Sequence, residues 1–544
     1  MKLRTANWER LGEGTFDVLV VGAGINGAVS AAALATRGAK VALVDRGDFA
    51  GGTSQQSSNL AWGGIKYLES YEFALVRKLC LSRNKLMRSY PSTVEEIRFF
   101  AAHPKGFRHG LWKLVAGAFL YWAMGNFFTR GPRRLSRNKI AREEPIVETA
   151  GVDGGFEYSD AYLHDNDARF VFGFVQSAMR HGCIAANYVE VTEATREEGA
   201  WKVTLRDVLG NATKTIRAKL LINAAGPWAD GINAQAGVET THRHVFSKGI
   251  HLVVDRLTPH HRVLTFFADD GRLFFVIPMG PKTCIGTTDT WVDRPEVDVT
   301  PEDRKFVLDN VNKRLRLPAP LTEADIVAER CGVRPLVVSG KSRGAGTGKD
   351  WMHLSRKHTV EAKAGEGHLT IFGGKLTDCL NVGEEVCQKV QSLGVDLPFP
   401  KERWYGEPSP QARREFFHRA RLMNLDAMTS PNASEPMSSR LWRRYGLDAF
   451  QMLEEIRADR TMADQIIETS EYVRCELAHA ARAEMVAKLE DFLRRRSKIE
   501  LVVRAAALAH AAGLREACRL LFGEEADAKL AEYFNGLPAS RRAA

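Results

Sequence analysis

Three glycines and one acid carry the first chemistry legible in this chain of 544 residues. Residues 16–28, FDVLVVGAGINGA, run an apolar, β-branched strand into Gly22-x-Gly24-x-x-Gly27 and then into a small-residue helix from Ala28 to Thr36. Gly22 suits a tight turn, Gly24 lets backbone approach a pyrophosphate, and Gly27 lets helix and strand pack closely. The helix N-terminus offers bare N–H groups to phosphates. A second strand, Lys40 to Val44, ends in Asp45, at the distance where an acid accepts hydrogen bonds from an adenosine ribose. Strand, helix and acid together predict a dinucleotide cofactor.

The triplet does not separate NAD from FAD, but the next segment does. Residues 47–69, GDFAGGTSQQSSNLAWGGIKYLE, are polar and rich in glycine and serine, where a nicotinamide enzyme proceeds to its next crossover helix. Such a stretch suits a long cofactor. LLINAAGPWAD (220–230) and LTIFGGKLTDCLNVGEEV (369–386) repeat the strand-then-small-residue shape and bring further backbone N–H groups near a ligand.

The elements that must position these residues are bounded by composition. Hydrophobic residues at 44%, charged residues at 26%, 46 Gly and 20 Pro match an average globular protein and exclude disordered, collagen and coiled-coil classes. The length allows three or four domain-sized units. Short alternating segments between about 236 and 359, such as IHLVV and RLFFVIP, predict an antiparallel sheet. Beyond about 400 the pattern turns helical, for example from Ala478 to Arg496. KSRGAGTGK (341–349) and Thr429–Ser439 read as mobile linkers. The eight cysteines are scattered, without zinc or dithiol spacing, so no metal site is expected. The N-terminal MKLRTANWERLGEGTFD lacks an apolar h-region, which predicts a cytoplasmic, reduced fold.

The sequence resembles the FAD-dependent glycerol-3-phosphate dehydrogenases, aerobic-type flavoproteins related in fold to amino-acid oxidases. The resemblance is carried by GAGINGA, GTSxxSSxLxxGGxKYLE (52–69), GGFEYSDAYLHDNDAR (154–169), NAAGPWA (223–229), KGIHLVV (248–254), LFFVIPMGPKTCIGTTDT (273–290), CGVRPLV (331–337), LSRKHTV (354–360) and FGGKLTD (372–378). RLWRRYG (440–446) and LEDFLRRRSKIEL (489–501) look like its helical domain. It implies an α/β fold with a Rossmann-like FAD domain assembled from 16–100, 150–235 and 360–395. It further implies an inserted antiparallel β substrate domain at 236–359 and an α-helical C-terminal domain at 400–544. Non-covalent FAD would be held by Gly22, Gly24, Gly27, Asp45, Thr53, Ser54, Ser58, Gly64, Val189, Ala225, Gly226, Gly374, Leu376 and Thr377.

The same resemblance implies oxidation of glycerol 3-phosphate to dihydroxyacetone phosphate, with a quinone as acceptor. Arg334 and Arg356 match its phosphate-contacting arginines. Lys375 would bring positive charge to the flavin's pyrimidine side, and His251 would be the base. Where the family has histidine and arginine in the segment LAWGGIKYLE, this chain has Trp62 and Lys66; Lys66 keeps the charge without the fork, and Tyr67 is retained as a substrate contact. Two other readings stay open: a hydroxy-acid or amino-acid oxidase of this fold, with the arginines clamping a carboxylate, and a non-catalytic flavin-binding membrane partner.

The net charge of +10 is concentrated between Glu96 and Glu143, where ten Lys or Arg and no acid occur. Inside that window 111–128, LWKLVAGAFLYWAMGNFF, contains one charge, Lys113. As one helix it measures about 27 Å, marginal against a hydrocarbon core of about 30 Å, and basic residues flank both ends. A membrane-facing insertion at 101–149, embedded in one leaflet of an anionic membrane surface, is expected. It would place the protein peripherally or monotopically on the inner face of the cell membrane. No recognised nucleic-acid motif accompanies the cluster. The resemblance allows a homodimer.

Overall fold

A computed structural model describes residues 2–339, 357–431, 433–468 and 470–537. The chain opens with α1 (Leu3–Leu11) and β1 (Thr15–Val21), then crosses through α2 (Ile25–Thr36) to β2 (Val41–Val44). It then builds β3 (Leu60–Ala61), α3 (Phe73–Ser89), β4 (Val94–Pro104), α4 (Leu111–Met124), β5 (Arg133–Leu135), α5 (Arg137–Glu143) and β6 (Val152–Leu163). After α6 (Asp167–Arg180) come β7 (Ile184–Ala186), β8 (Val189–Glu197), β9 (Ala200–Asp207), β10 (Thr213–Asn223) and α7 (Ala229–Gln235). The next elements are β11 (His242–Asp255), β12 (Arg262–Phe267), β13 (Leu273–Met279), β14 (Lys282–Gly286), β15 (Thr290–Val292), α8 (Pro301–Arg314) and β16 (Ala328–Ser339). The α/β part ends with β17 (Thr359–Lys363), β18 (His368–Phe372) and α9 (Cys379–Ser392).

Two sheets result. The first runs β17-β18-β10-β1-β2-β7, with β8 and β9 continuing from β10. β18, β10, β1, β2 and β7 are parallel. Their apolar residues are buried on both faces, as parallel strands require, and Ala-rich α2 packs into the same core. The second sheet runs β15-β11-β14-β13-β12-β4-β6-β3, with β16 on β11 and β5 on β6.

This pairing revises the expected boundaries. β3 and β6 fall within 16–100 and 150–235, and β4 begins within 16–100, yet all three hydrogen-bond into the substrate sheet. That sheet is not wholly antiparallel, because β12 runs parallel to β4, Leu264 facing Phe100. The reason is long-range. β4 pairs with β6 along its length, Val94 to Leu163 through Pro104 to Val152, and β12, held by β13 on one side, joins β4 on the other.

Two helices end earlier than their patterns suggest. α4 stops at Met124 because Gly125 caps it and Asn126 and Phe127 take left-handed backbone, at φ 54° and 58°. At 14 residues it is about 21 Å long, and no described helix is long and apolar enough to cross a membrane. Near 478–496, α13 (Arg474–Ala483) breaks at left-handed Met485, φ 51°, and a single π-helical turn, Asp491–Arg496, comes next. From Pro410 onward the described chain is helical, including α10 (Pro410–Leu422), α11 (Met437–Tyr445) and α12 (Ala449–Ala458). The segment 341–349 lies outside the described residues.

Candidate active site

Parallel register brings the carboxyl ends of β1, β2, β10 and β18 to one edge of the first sheet, where ligands bind in doubly wound folds. Four loops meet there. Gly22 is left-handed, φ 94°, and a Cβ on it would lie 2.6 Å from the Ala224 carbonyl oxygen; one on Gly27 would lie 1.8 Å from the Gly22 oxygen. Neither position has room for a side chain. Gly24, the N-cap of α2, has extended backbone, and Ile25 N–H donates to Ser54 Oγ at 2.9 Å.

Thr53 Oγ1 donates to the Val333 carbonyl, 2.9 Å, tying this loop to β16. Asp45 accepts from Ala23 N–H at 2.7 Å and from Gly47 N–H at 2.9 Å; burial raises its pKa while both N–H groups oppose that. Val189 N–H donates to the Asp45 carbonyl, 2.7 Å, and Ser58 sits in the same loop as Ser54. On the third loop Ala225 N–H donates to Asn223 Oδ1, 3.2 Å, and Gly226 is left-handed, φ 56°.

On the fourth, Asn26 Nδ2 donates to the Gly373 carbonyl, 2.9 Å, and Gly374, φ 111°, packs on Asn26. Leu376 opens a tight turn. Thr377 does not cap α9; its hydroxyl donates to the Trp62 carbonyl, 3.1 Å, since that loop covers it. Backbone donors converge where glycines deny side chains their space, and this crevice fits FAD.

The second sheet faces the crevice with one row of residues. His251 on β11 lies opposite Gly286 on β14, and Gly286 opposite Phe275 on β13. A Cβ on Gly286 would lie 2.7 Å from the His251 ring, so the glycine leaves the slot beside the imidazole. His251 is 4% exposed, and neither ring nitrogen has a hydrogen-bond partner among the described residues. Burial, then Arg330 and Arg334, push its pKa down to about 3. It is neutral at physiological pH and able to accept a proton.

Arg334, on neighbouring β16, donates to Thr287 Oγ1 at 2.9 Å and to the Thr288 carbonyl at 3.2 Å, and it pairs with Asp289 Oδ1 at 3.4 Å. Its guanidinium lies across Gly249, where a Cβ would sit 2.3 Å from Nη2. Arg356 lies outside the described residues.

From Phe275 the wall continues to Trp62 (ring centroids 6.4 Å) and Tyr67 (6.2 Å). Tyr67 Oη is 2.7 Å from Lys375 Nζ. One continuous run of contacts thus joins His251 to Lys375. Trp62 fills space in it, its Nε1 3.4 Å from Tyr158 Oη, while Lys66 is exposed. Gly64, φ 79°, lets the Tyr67 ring fold back on it.

Sequence reasoning missed several members. Arg330 is fully buried beside His251 and donates to Asn59 Oδ1, 2.6 Å, and to the Ser57 carbonyl; it sits four residues before Arg334, so strand alternation places both on one face. Asp160 holds Gly63 N–H at 3.0 Å, Arg83 at 3.0 Å and Tyr121 at 2.8 Å. Burial raises its carboxyl pKa against these three partners. Tyr121 belongs to α4, so that helix is bonded to the loop bearing Trp62. Among the described residues no group of His, Cys, Asp and Glu is arranged for a metal.

A doubly wound sheet with a glycine turn, facing a second sheet that carries a neutral histidine and an arginine, defines an FAD-dependent oxidoreductase. Residues 17–373 match the FAD dependent oxidoreductase family, and residues 406–523 match the C-terminal domain of alpha-glycerophosphate oxidase. The chain is similar to glycerol-3-phosphate dehydrogenase 2 of Mycobacterium tuberculosis, 32% identical over 523 residues, covering 92% of this chain and 83% of the relative. It is also similar to D-erythritol 1-phosphate dehydrogenase of Brucella abortus, 32% identical over 384 residues, covering 70% and 74%. The crystal structure of a glycerol-3-phosphate dehydrogenase from Bacillus halodurans complexed with FAD superposes with a TM-score of 0.70 at 25% identity, covering 100% of this chain and 95% of that one. The chain belongs to the FAD-dependent glycerol-3-phosphate dehydrogenase family and is a flavoprotein oxidoreductase.

Proposed function

We propose that the protein oxidises sn-glycerol 3-phosphate to dihydroxyacetone phosphate on FAD and passes the electrons to a membrane quinone. The observation that carries this is the placing of neutral His251 on β11 and Arg334 on the adjacent β16, close enough for the guanidinium to depress the imidazole's pKa, at the end of the wall leading to Lys375. Arg334 offers a fork to the substrate's phosphate. His251 takes the proton of the secondary hydroxyl as the C–H hydride leaves the same carbon, so that a ketone forms. The arriving dianion offsets Arg330 and Arg334 and raises the affinity of His251 for that proton. Bound FAD supplies the hydride acceptor, and Lys375 places positive charge beside the segment that holds it. Gly286 and two guanidinium groups, not solvent, lie beside the imidazole.

The α3–α4 ridge supports docking on the inner, anionic face of a membrane. Trp112, Phe119, Leu120 and Phe127 are exposed within the basic window, and Tyr71 and Phe73 are exposed at the start of α3, which packs on α4. α4 buries Ala118 and Tyr121, packs Leu111, Leu114, Val115 and Met124 partly against the same core, and leaves Trp112, Phe119 and Leu120 exposed, which suits interfacial insertion of a few aromatics with basic residues at the headgroups.

Anaerobic mixing of the yellow protein with candidate substrates tests the reaction. Glycerol 3-phosphate is expected to bleach the flavin, and glycerol to leave it oxidised. Faster bleaching by D-erythritol 1-phosphate would move the assignment to the longer polyol phosphate, a reading favoured by the Brucella relative. Bleaching by neither phosphate would end it.

A further inference from the structure

Three consecutive arginines in the C-terminal part, Arg494, Arg495 and Arg496, are 6%, 4% and 1% exposed. They occupy the π-helical turn Asp491–Arg496, a geometry common at functional positions. All three reach the loop after β2. Arg496 grips both oxygens of Asp48 at 2.8 Å. Arg495 bonds Asp48 Oδ2 at 2.7 Å and Gln55 Oε1 at 3.3 Å. Arg494 donates to Gln56 Oε1 at 3.1 Å and to the Glu329 carbonyl, next to Arg330 on β16, at 3.2 Å.

Between Gln55 and Asp48 in this loop lie Thr53, bonded to β16, and Ser54, bonded to the first N–H of α2. The turn also reaches the far side of the crevice: Arg495 pairs with Asp491 at 2.6 Å. Asp491 accepts from Tyr188 Oη at 2.7 Å, and Tyr188 precedes Val189.

We propose that the arginine turn 494–496 is a cofactor-positioning device: the C-terminal domain fixes the Asp48–Gln56 loop from behind and so sets the affinity for FAD without touching it. The physical basis is pre-organisation. A polar, glycine- and serine-rich loop loses conformational freedom when it closes on a ligand, and buried, bidentate guanidinium bonds impose that loss in advance. Positive charge is balanced locally by Asp48, Asp491 and Glu500, the last 3.2 Å from Arg494, so the turn does not itself offer a free cation to the pyrophosphate. It acts through Gln55, Gln56 and Asp48.

The inference concerns FAD alone and survives a change of substrate. Its test is FAD titration of deflavinated full-length protein, monitored by flavin fluorescence, together with the melting temperature of the apoprotein. Gln55→Leu/Gln56→Leu keeps every charge pair of the turn and cuts two links to the loop, together with the bond from Gln55 Nε2 to the Gly51 carbonyl inside it, and Arg495→Lys leaves that internal bond in place. Its FAD dissociation constant is expected to rise tenfold or more at an unchanged apoprotein melting temperature. Arg495→Lys, which keeps the charge but loses the fork, is expected to fall between this variant and wild type. Arg440→Met, which breaks a buried pair of the same domain with Glu476 away from the loop, is expected to lower the melting temperature and leave FAD affinity intact. An FAD affinity within twofold of wild type in the double variant would overturn the proposal. So would a parallel fall of affinity and apoprotein melting temperature, because the turn would then be only domain glue.

Discussion

His251 sits where a proton acceptor is needed and is held neutral by burial and by two flanking guanidinium groups. A histidine near its ordinary pKa of about 6.5 is half protonated at that pH, whereas this one stays unprotonated well below it. In kcat/KM, which reports the free enzyme, no loss assignable to the base is therefore expected between pH 8 and pH 6, once the substrate's own phosphate ionisation near pH 6 is allowed for. A loss near pH 6.5 common to substrates with and without that ionisation would contradict the assignment. His251→Asn is expected to slow flavin reduction in stopped flow by about a hundredfold or more with FAD content unchanged, and a normal rate would return His251 to the core. Arg334→Ala removes a charge-assisted bond of about 1.5–3 kcal/mol. It is expected to lower kcat/KM about tenfold to a hundred and fiftyfold, and an unchanged value would remove Arg334 from the site.

Among the elements, α4 joins surface to site. Its exposed Trp112 and Phe119 face outward, while its Tyr121 is bonded to Asp160 and thereby to the backbone of Gly63. Liposome co-sedimentation should show wild type on anionic vesicles and only partial release by salt, since screening weakens the electrostatic part and not apolar insertion. A Trp112→Ser/Phe119→Ser variant should release fully, and pelleting like wild type would disprove the docking face. The reach of sequence reasoning depends on how local each signal is. The β1–α2 turn and Asp45 were legible because strand period and glycine spacing are short-range. The pairing of β4 with β12 was not, being fixed by residues about 160 positions apart. The end of α4 was legible in Gly125-Asn126, since asparagine is enriched in left-handed backbone, whereas left-handed Phe127 has no such signal. Arg494–Arg496 fell in a segment read only as helical, because nothing in their own sequence reveals the buried loop they meet.

At the scale of the whole molecule the histidines set how stability depends on pH. Burial lowers the pKa of His244 and His368 to about 4 and of His251 to about 3, and lowers those of His164 and His479 as well. His358 runs the other way: Asp378 and Glu385, each 2.9 Å from it, raise its pKa despite burial. A histidine lowered in the fold binds fewer protons folded than unfolded between its folded value and about 6.5, so its contribution is complete above that pH and is lost as pH falls. His358 contributes fully below about 6.5 and loses that contribution as pH rises through its raised value. Among the histidines five oppose one, and their net slope favours the neutral side, against Asp45, Asp160, Asp230 and Asp491, whose carboxyl pKa values burial raises. Each lowered histidine adds up to about 1.4 kcal/mol per pH unit. Urea unfolding of the flavoprotein is therefore expected to show stability falling steeply from pH 7 to pH 5, before the paired carboxylates, such as Asp378 at about 2, begin to titrate. His368 is fully buried and lies behind the FAD crevice on β18, so His368→Gln should flatten that slope by up to one such unit. A slope unchanged by this substitution, or stability that rises on acidification, would show that the buried histidines do not control it.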